Sequence, residues 1–398
     1  MTATIDETLL RRARRALREE GIDGWLLFDL AGRNRIAAEV LGIPEGSHRR
    51  HFVLLRPDGP PVALTHRIER QTWRDWEGEH REYVGWEELE GGLDEMLDGC
   101  DRVAMEISER DGVPAVDQVP AGVVQLVESC GVRVVGSASV VSRTYAQWGE
   151  VGRETHREAG RILARTARRA WERAARAAEA GEPLTERELA DWVQETKASE
   201  GLGGGGVIVG AGPNSALPHY APPEEGSRRA IRGDVLLVDL WARVRDEPAA
   251  VFADQTWMGV LGAEPPEGFA AAWTAVREAR DGAVEFIARR AGDGELPTGA
   301  EVDLRTREIL TEHGYGDLIL HRTGHGMDRE NHGFGPNLDA VETRDERRIV
   351  PGVGFSVEPG VYLEGSWGIR SEINVHVTDD GPEVTTPDVQ DAPWLWEE

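Results

Sequence analysis

Two stretches decide the fold: VLLVDLWARVRDEPAAVFADQTWMGV, residues 235–260, and GFSVEPGVYLEGSWGIRSEINVHV, residues 354–377. Each is a pair of apolar, β-branched runs joined by turn-forming residues, the pattern of an antiparallel hairpin. Each run also carries a carboxylate among its apolar residues: Asp239 and Asp254 in the first hairpin, Glu358 and Glu372 in the second. A turn centred on Asp246, Glu247 and Pro248 places Asp239 opposite Asp254, and a turn centred on Gly365 places Glu358 opposite Glu372. Like charges facing each other across a ladder destabilise a sheet. Four such carboxylates in strands apolar on both sides call for a compensating cation.

Histidine supplies a softer donor. His325 lies in HRTGHGMD between two glycines, which let the backbone approach a ligand closely. His332 follows in ENHGFGPN, and His219 ends GPNSALPHY. One imidazole with four carboxylates makes a hard, oxygen-rich site for one or two divalent ions, favouring Mn²⁺, with Co²⁺, Zn²⁺ or Fe²⁺ as further occupants. Bridging carboxylates set two ions about 3.5 to 4 Å apart and acidify bound water to a hydroxide nucleophile.

Outward from these hairpins, residues 151–398 read as an α+β domain with an antiparallel sheet and helices to one side: a long polar helix over 154–180, a capping-box helix over 185–200, then helices over about 267–290 and 301–313. Residues 1–150 alternate short strands and helices, among them a helix over Glu7–Glu20, a strand over His51–Leu55 and a helix near Trp86–Leu97, the pattern of a smaller α/β domain. Gly201-x-Gly203-x-x-Gly206 matches a dinucleotide fingerprint only superficially, because it precedes a strand where the fingerprint follows one.

Composition narrows the partners. Lys and Arg total 45 against 72 Asp and Glu, a formal charge of −27 over 398 residues, which disfavours nucleic acid and anionic membranes. Lys197, in ETKASEG, is the single lysine and reads as a solvated residue on a polar helix. Cys100 and Cys130 make neither a disulfide framework nor a zinc ribbon. The N-terminal segment lacks an apolar h-region, and no run of about 18 apolar residues occurs. The expectation is a cytoplasmic protein.

His219, Asp239, Asp254, His325, His332, Glu358 and Glu372, in the phrases NSALPHY, LLVDL, ADQT, GHGMDRENH, SVEPGVY and GIRSEINVHVT, resemble the methionine aminopeptidase, prolidase and creatinase superfamily of M24 metallopeptidases. The resemblance implies a pita-bread catalytic domain over roughly residues 155 to 390, preceded by the smaller creatinase-like domain of Xaa-Pro dipeptidases and aminopeptidase P. It implies two metal ions, with Asp239 chelating one, Asp254 and Glu372 bridging, and His325 and Glu358 completing the other. It further implies that Glu358 shuttles a proton, that His219 and His332 bind the scissile carbonyl, and that Arg370 either meets the substrate carboxylate or braces the metal shell. Three departures stand out: Trp241 replaces the usual glycine two residues after the first aspartate, the aspartates lie 15 residues apart where about 11 is usual, and Ile373 replaces an acidic residue. Trp241 therefore becomes a candidate pocket-shaping residue.

The function expected is a homodimeric Xaa-Pro dipeptidase acting on proline-containing dipeptides. Aminopeptidase P, which takes longer peptides, is the alternative, and a non-catalytic pita-bread scaffold a distant third. His48, Arg49, Arg50 and His51 form a basic cluster in an acidic chain. Arg49 or Arg50 either recognises the free carboxylate of a dipeptide or forms a solvated pair balancing Glu45.

Overall fold

The computed structural model describes residues 2–44 and 47–397; Glu45 lies outside them. The chain forms two compact units, the first ending at Tyr145 and the second starting at Ala146.

In the N-terminal unit, strands Gly24–Asp29 and His51–Leu55 pair antiparallel at the centre of a six-stranded mixed sheet. Leu26, Phe28, Phe52, Leu54 and Leu64 pack against Leu89, Leu93 and Met96 of helix Trp86–Leu97. Helix Glu7–Glu20 starts where Asp6 accepts a hydrogen bond from the Leu9 amide and ends at Gly21 in the left-handed conformation, the usual N-cap and C-cap chemistry.

In the second unit, strands Val235–Val244 and Ala253–Val260 are the long central pair of one sheet. Strand alternation sends successive side chains to opposite faces. Leu236, Val238, Leu240, Ala253 and Trp257 pack on helix Glu150–Glu179, whose facing stripe of Ala159, Ala167, Ala170 and Ala174 permits close approach. Val235, Leu237, Met258 and Val260 face the other way, onto Phe269, Ala272 and Val276 of helix Phe269–Gly292. Helices therefore cover both faces of this sheet, not one as the paired strands suggested, because the strands are apolar on both sides at this end.

Along the second face the chemistry then changes. Beyond Leu237 come Asp239 and Trp241, and before Met258 come Asp254 and Thr256, so one sheet face runs from apolar core to a polar cavity within two strands. A second sheet holds Gly354–Val357 against Ile373–Thr378, and Gly360–Leu363 pairs with Trp367–Arg370. Asn374 joins the two sheets: the Asp254 amide donates to its Oδ1 at 3.1 Å and its Nδ2 donates to the Asp254 carbonyl at 2.5 Å. Each helix pair in this unit opens its second helix with a capping box, Thr185 with Glu188 and Thr298 with Glu301.

Gly259 lies under Trp171, where an added Cβ falls 2.2 Å from the indole Cδ1 and Nε1. Gly259→Ala is expected to lower stability by about 1–3 kcal/mol through overpacking, measured by urea unfolding; an unchanged midpoint would refute this account of the contact.

Candidate metal centre

The four carboxylates reach one cavity of about 830 Å³ in the second unit, lined also by His219, Trp241, His325, His332 and Arg370. The hairpin registers explain how. In the second hairpin the turn is centred on Gly365, at φ 75°, and the pairs Gly360–Arg370 and Ser356–Asn374 leave Glu358 and Glu372 facing each other between two ladders. Pro359 has no N–H to continue the ladder, and the Glu358 amide donates instead to the Thr323 carbonyl at 2.7 Å.

In the first hairpin the expected pairing is corrected. Asp239 lies opposite Thr256, and Asp254 opposite Trp241. The turn is centred one residue later than expected, between Glu247 and Pro248, with Asp246 at φ 61°. Pairing shifts by two residues, which preserves side-chain parity, so both aspartates keep the same face and meet diagonally.

Asp254, His325 and Glu372 offer donor atoms that all lie within 4.8 Å of one another. His325 Nε2 is 3.6 Å from Asp254 Oδ2 and 3.5 Å from Glu358 Oε1. Asn331 Nδ2 donates to Asp254 Oδ2 at 2.8 Å, Thr256 Oγ1 to Glu372 Oε2 at 2.8 Å, and Ser356 Oγ to Glu358 Oε1 at 3.0 Å. Arg370 joins the set through a close ion pair with Asp239, a 2.9 Å bond from Nε to Thr256 Oγ1, and an approach of 4.0 Å to Glu358 Oε2.

Burial makes this array electrostatically costly. Asp239 and Glu372 are held well above the ordinary carboxylate range, first by desolvation and then by the neighbouring acids. Asp254 is held below it; burial alone would raise it, but His325 and Asn331 more than offset that. Asp239 Oδ1 and Asp254 Oδ1 are buried and accept no hydrogen bond, although buried acceptors are nearly always satisfied. Orphaned carboxylate oxygens beside an imidazole are the donor set a divalent cation takes, so the residues present fit a metal.

His332 packs on His325 with ring centroids 4.1 Å apart. His325 and burial depress it to about 4, leaving a neutral imidazole near pH 7. His219 is exposed at the cavity wall. Its loop is ordered by Glu186, fully buried, which accepts from the Ala211 amide, Asn214 Nδ2 and Tyr220 Oη.

Sequence reasoning missed His321, Arg322 and Tyr362. His321 lines the cavity and its Nε2 lies 2.7 Å from Tyr362 Oη, itself 3.4 Å from Arg370 Nη1. The signal was four residues before His325, in HRTGH. Two other expectations are corrected. Lys197 is buried, not solvated, with Nζ donating to the Gly206 and Trp241 carbonyls; desolvation lowers it to about 8. His51 turns inward against Trp73, so the basic cluster is His48, Arg49 and Arg50. These three are exposed and line a cavity of about 370 Å³ within the N-terminal unit, with Arg50 5.8 Å from the Trp86 ring.

Residues 154–379 match the Metallopeptidase family M24 model. The probable dipeptidase PepE of Mycobacterium tuberculosis is 31% identical over 273 residues, which is 68% of this chain and 65% of that protein; the chain thus aligns with just under two thirds of this relative's length. The Xaa-Pro dipeptidase of Pyrococcus furiosus is 33% identical over 175 residues, 44% of this chain and 45% of that one. The crystal structure of dipeptidase PepE from Mycobacterium ulcerans superposes with a TM-score of 0.72 over 98% of this chain and 99% of that chain at 22% identity, a likeness of fold. The pita-bread architecture and the residues gathered in its cavity lead to one conclusion: this chain belongs to metallopeptidase family M24.

Proposed function

We propose that the protein is a metal-dependent Xaa-Pro dipeptidase that hydrolyses the imide bond before a C-terminal proline. The observation that carries this reading is the buried Asp254, His325 and Glu372 cluster, with unsatisfied aspartate oxygens, at the centre of a cavity large enough for a short peptide. Family membership and relatives named dipeptidase support it. We read the centre as holding two divalent ions, Mn²⁺ first, with Co²⁺, Zn²⁺ or Fe²⁺ as alternatives, in an enzyme working as a cytoplasmic homodimer. Two free cysteines, Cys100 and Cys130, are compatible with a reducing compartment, and no described helix is long and apolar enough to cross a membrane.

When bound, the ions supply a hydroxide from water at neutral pH and a Lewis acid for the carbonyl. Asp254, His325, Glu358 and Glu372 would hold them, with Asp239 completing the set. Arg370 braces Asp239 and leaves its charge within reach of Glu358. Glu358, half-buried at the cavity wall, takes a proton from the attacking water and returns it to the leaving nitrogen, a general acid–base role. His332, neutral and beside His325, donates an N–H to the carbonyl oxygen as negative charge grows there, and His219, exposed at the cavity wall, does the same.

Glu372→Ala is expected to abolish hydrolysis and release at least one ion, read by elemental analysis of the purified protein, because the remaining carboxylates no longer neutralise the cations. Two retained ions with near-wild-type turnover would sink the dinuclear reading. His332→Ala is expected to lower kcat by about 10²–10³ while metal content holds; parallel loss of metal and activity would make His332 a ligand.

Specificity is tested by rates on Xaa-Pro against Xaa-Pro-Yaa with Mn²⁺ supplied. The dipeptidase reading expects strong preference for Xaa-Pro, and Arg49→Ala or Arg50→Ala raising KM for dipeptides if either arginine meets the carboxylate. Equal rates on both lengths would shift the assignment to aminopeptidase P.

A further inference from the structure

The cavity is chemically lopsided. Every lining residue after 320, including His321, Arg322, Glu342 and Arg370, is polar or charged, whereas the apolar lining residues, among them Ala190, Val207, Ile208 and Trp241, all come earlier in the chain; Ile208 and Trp241 share the sheet face of Asp239, and Val207 turns to the opposite face. Trp241 is the largest of these. It shares a sheet face with Asp239 and pairs across the ladder with Asp254, so a group resting on its indole lies next to the carboxylate cluster.

The indole is held from several directions. It lies on Gly206, where an added Cβ would fall 2.4 Å from Cζ2, and its main chain lies on Gly205, where a Cβ would fall 1.8 Å from the Trp241 carbonyl oxygen. The Trp241 amide donates to the Gly206 carbonyl at 3.3 Å. Behind this contact Lys197 Nζ donates to the Gly206 carbonyl and, at 3.1 Å, to the Trp241 carbonyl, while Gln194 Nε2 donates to the Gly205 carbonyl at 3.1 Å. Burying an ammonium is costly unless it is hydrogen-bonded, and the chain's single lysine makes these bonds at the one strand position that carries the bulky ring. Gly205 and Gly206 thus serve as a flat bed for a tryptophan, which gives this part of the glycine-rich stretch a role without a nucleotide.

We infer that Trp241 and Ile208, which share the sheet face of Asp239, form an apolar subsite for the side chain of the residue preceding the scissile bond, selecting bulky aliphatic and aromatic residues, with Lys197 as the positioning residue of Trp241. This rests on the peptidase reading above and adds the substrate class to it.

The test compares kcat/KM for Gly-Pro, Ala-Pro, Leu-Pro and Phe-Pro using the full-length, Mn²⁺-supplied protein. Burying a Leu or Phe side chain favours it over glycine by about ten- to a hundredfold, and that preference is expected in the wild type. Trp241→Gly should collapse the Phe-Pro to Gly-Pro ratio to within about threefold, with metal content unchanged by elemental analysis. Lys197→Met should lower the same ratio through KM more than kcat; a purely structural loss would lower all four substrates alike. Gly206→Ala displaces the indole while leaving Lys197 in place, and should reduce the ratio if Lys197→Met does not fold. Cleavage of all four dipeptides with no preference, or a ratio that survives Trp241→Gly, overturns the subsite and leaves the peptidase reading standing. If no Xaa-Pro peptide of any length is cleaved, the peptidase reading fails. The subsite is then decided by calorimetric titration of phenylalanine amide against glycine amide: tighter phenylalanine amide binding lost in Trp241→Gly supports it, and equal binding overturns it.

Discussion

The mutual repulsion of four carboxylates packed into one cavity is the constraint around which the second unit is organised. Asp239, Asp254 and Glu372 are buried, and Glu358 stands half-buried beside them at the cavity wall. Isolated buried charges are untenable at low dielectric, so such groups pair, take up protons or bind a cation. This chain uses each device in part. Arg370 pairs with Asp239, His325 and Asn331 hold Asp254 ionised, and Glu372 rises well above its ordinary range. Two aspartate oxygens still lack partners. The site is therefore strained toward metal, and the fold must supply the rigidity that keeps it so.

That rigidity comes from placing the candidate ligands at the boundary between core and cavity. On the two long strands the same face that buries Val235, Leu237, Met258 and Val260 against a helix becomes, two residues past Leu237 and four before Met258, the face of Asp239 and Asp254. A ligand directly continuous with a packed strand loses little further freedom on binding an ion, which is the general advantage of sites built on regular elements. Cross-sheet bonds from Asn374 to Asp254 and from Thr256 to Glu372 lock the second hairpin onto the first. The two hairpins thus act as one scaffold, and His325 enters between them on a glycine-flanked loop whose backbone approaches Ser356 too closely for any side chain at Gly324.

The same strand that carries Asp239 carries Trp241 two residues on, so the residue proposed to select a substrate and the residue proposed to hold a cation are coupled by strand period alone. A bulky ring there needs an absence of side chains opposite, and Gly205 and Gly206 provide it. Lys197 then finds its two carbonyl partners in the very contact the glycines create. Chemistry and specificity in this cavity are consequently difficult to vary independently.

Much of this was legible in the residues themselves. Apolar periodicity and turn chemistry placed helices at Glu7–Glu20 and Trp86–Leu97 and strands at His51–Leu55 with their observed bounds, because local pattern and burial agree there. The carboxylates and His325 were recognisable because charged residues inside apolar strands have few structural explanations, and the Glu358–Glu372 pairing followed from a glycine turn with one natural centre. The polar edge strand Glu79–Tyr83, mostly solvent-facing, carries no alternation to read, and went undetected. Only the tertiary structure decided the rest. The turn after Val244 tolerates more than one centre, and choosing between registers two apart depends on packing, since both present the same face. Whether a lysine is solvated or buried depends on which loop covers it; Lys197 sits on a helix that reads as polar, and its burial is set by residues 206 and 241, distant in sequence. His321 and Tyr362 likewise join the cavity through a contact 41 residues apart in the chain, a juxtaposition no local pattern encodes.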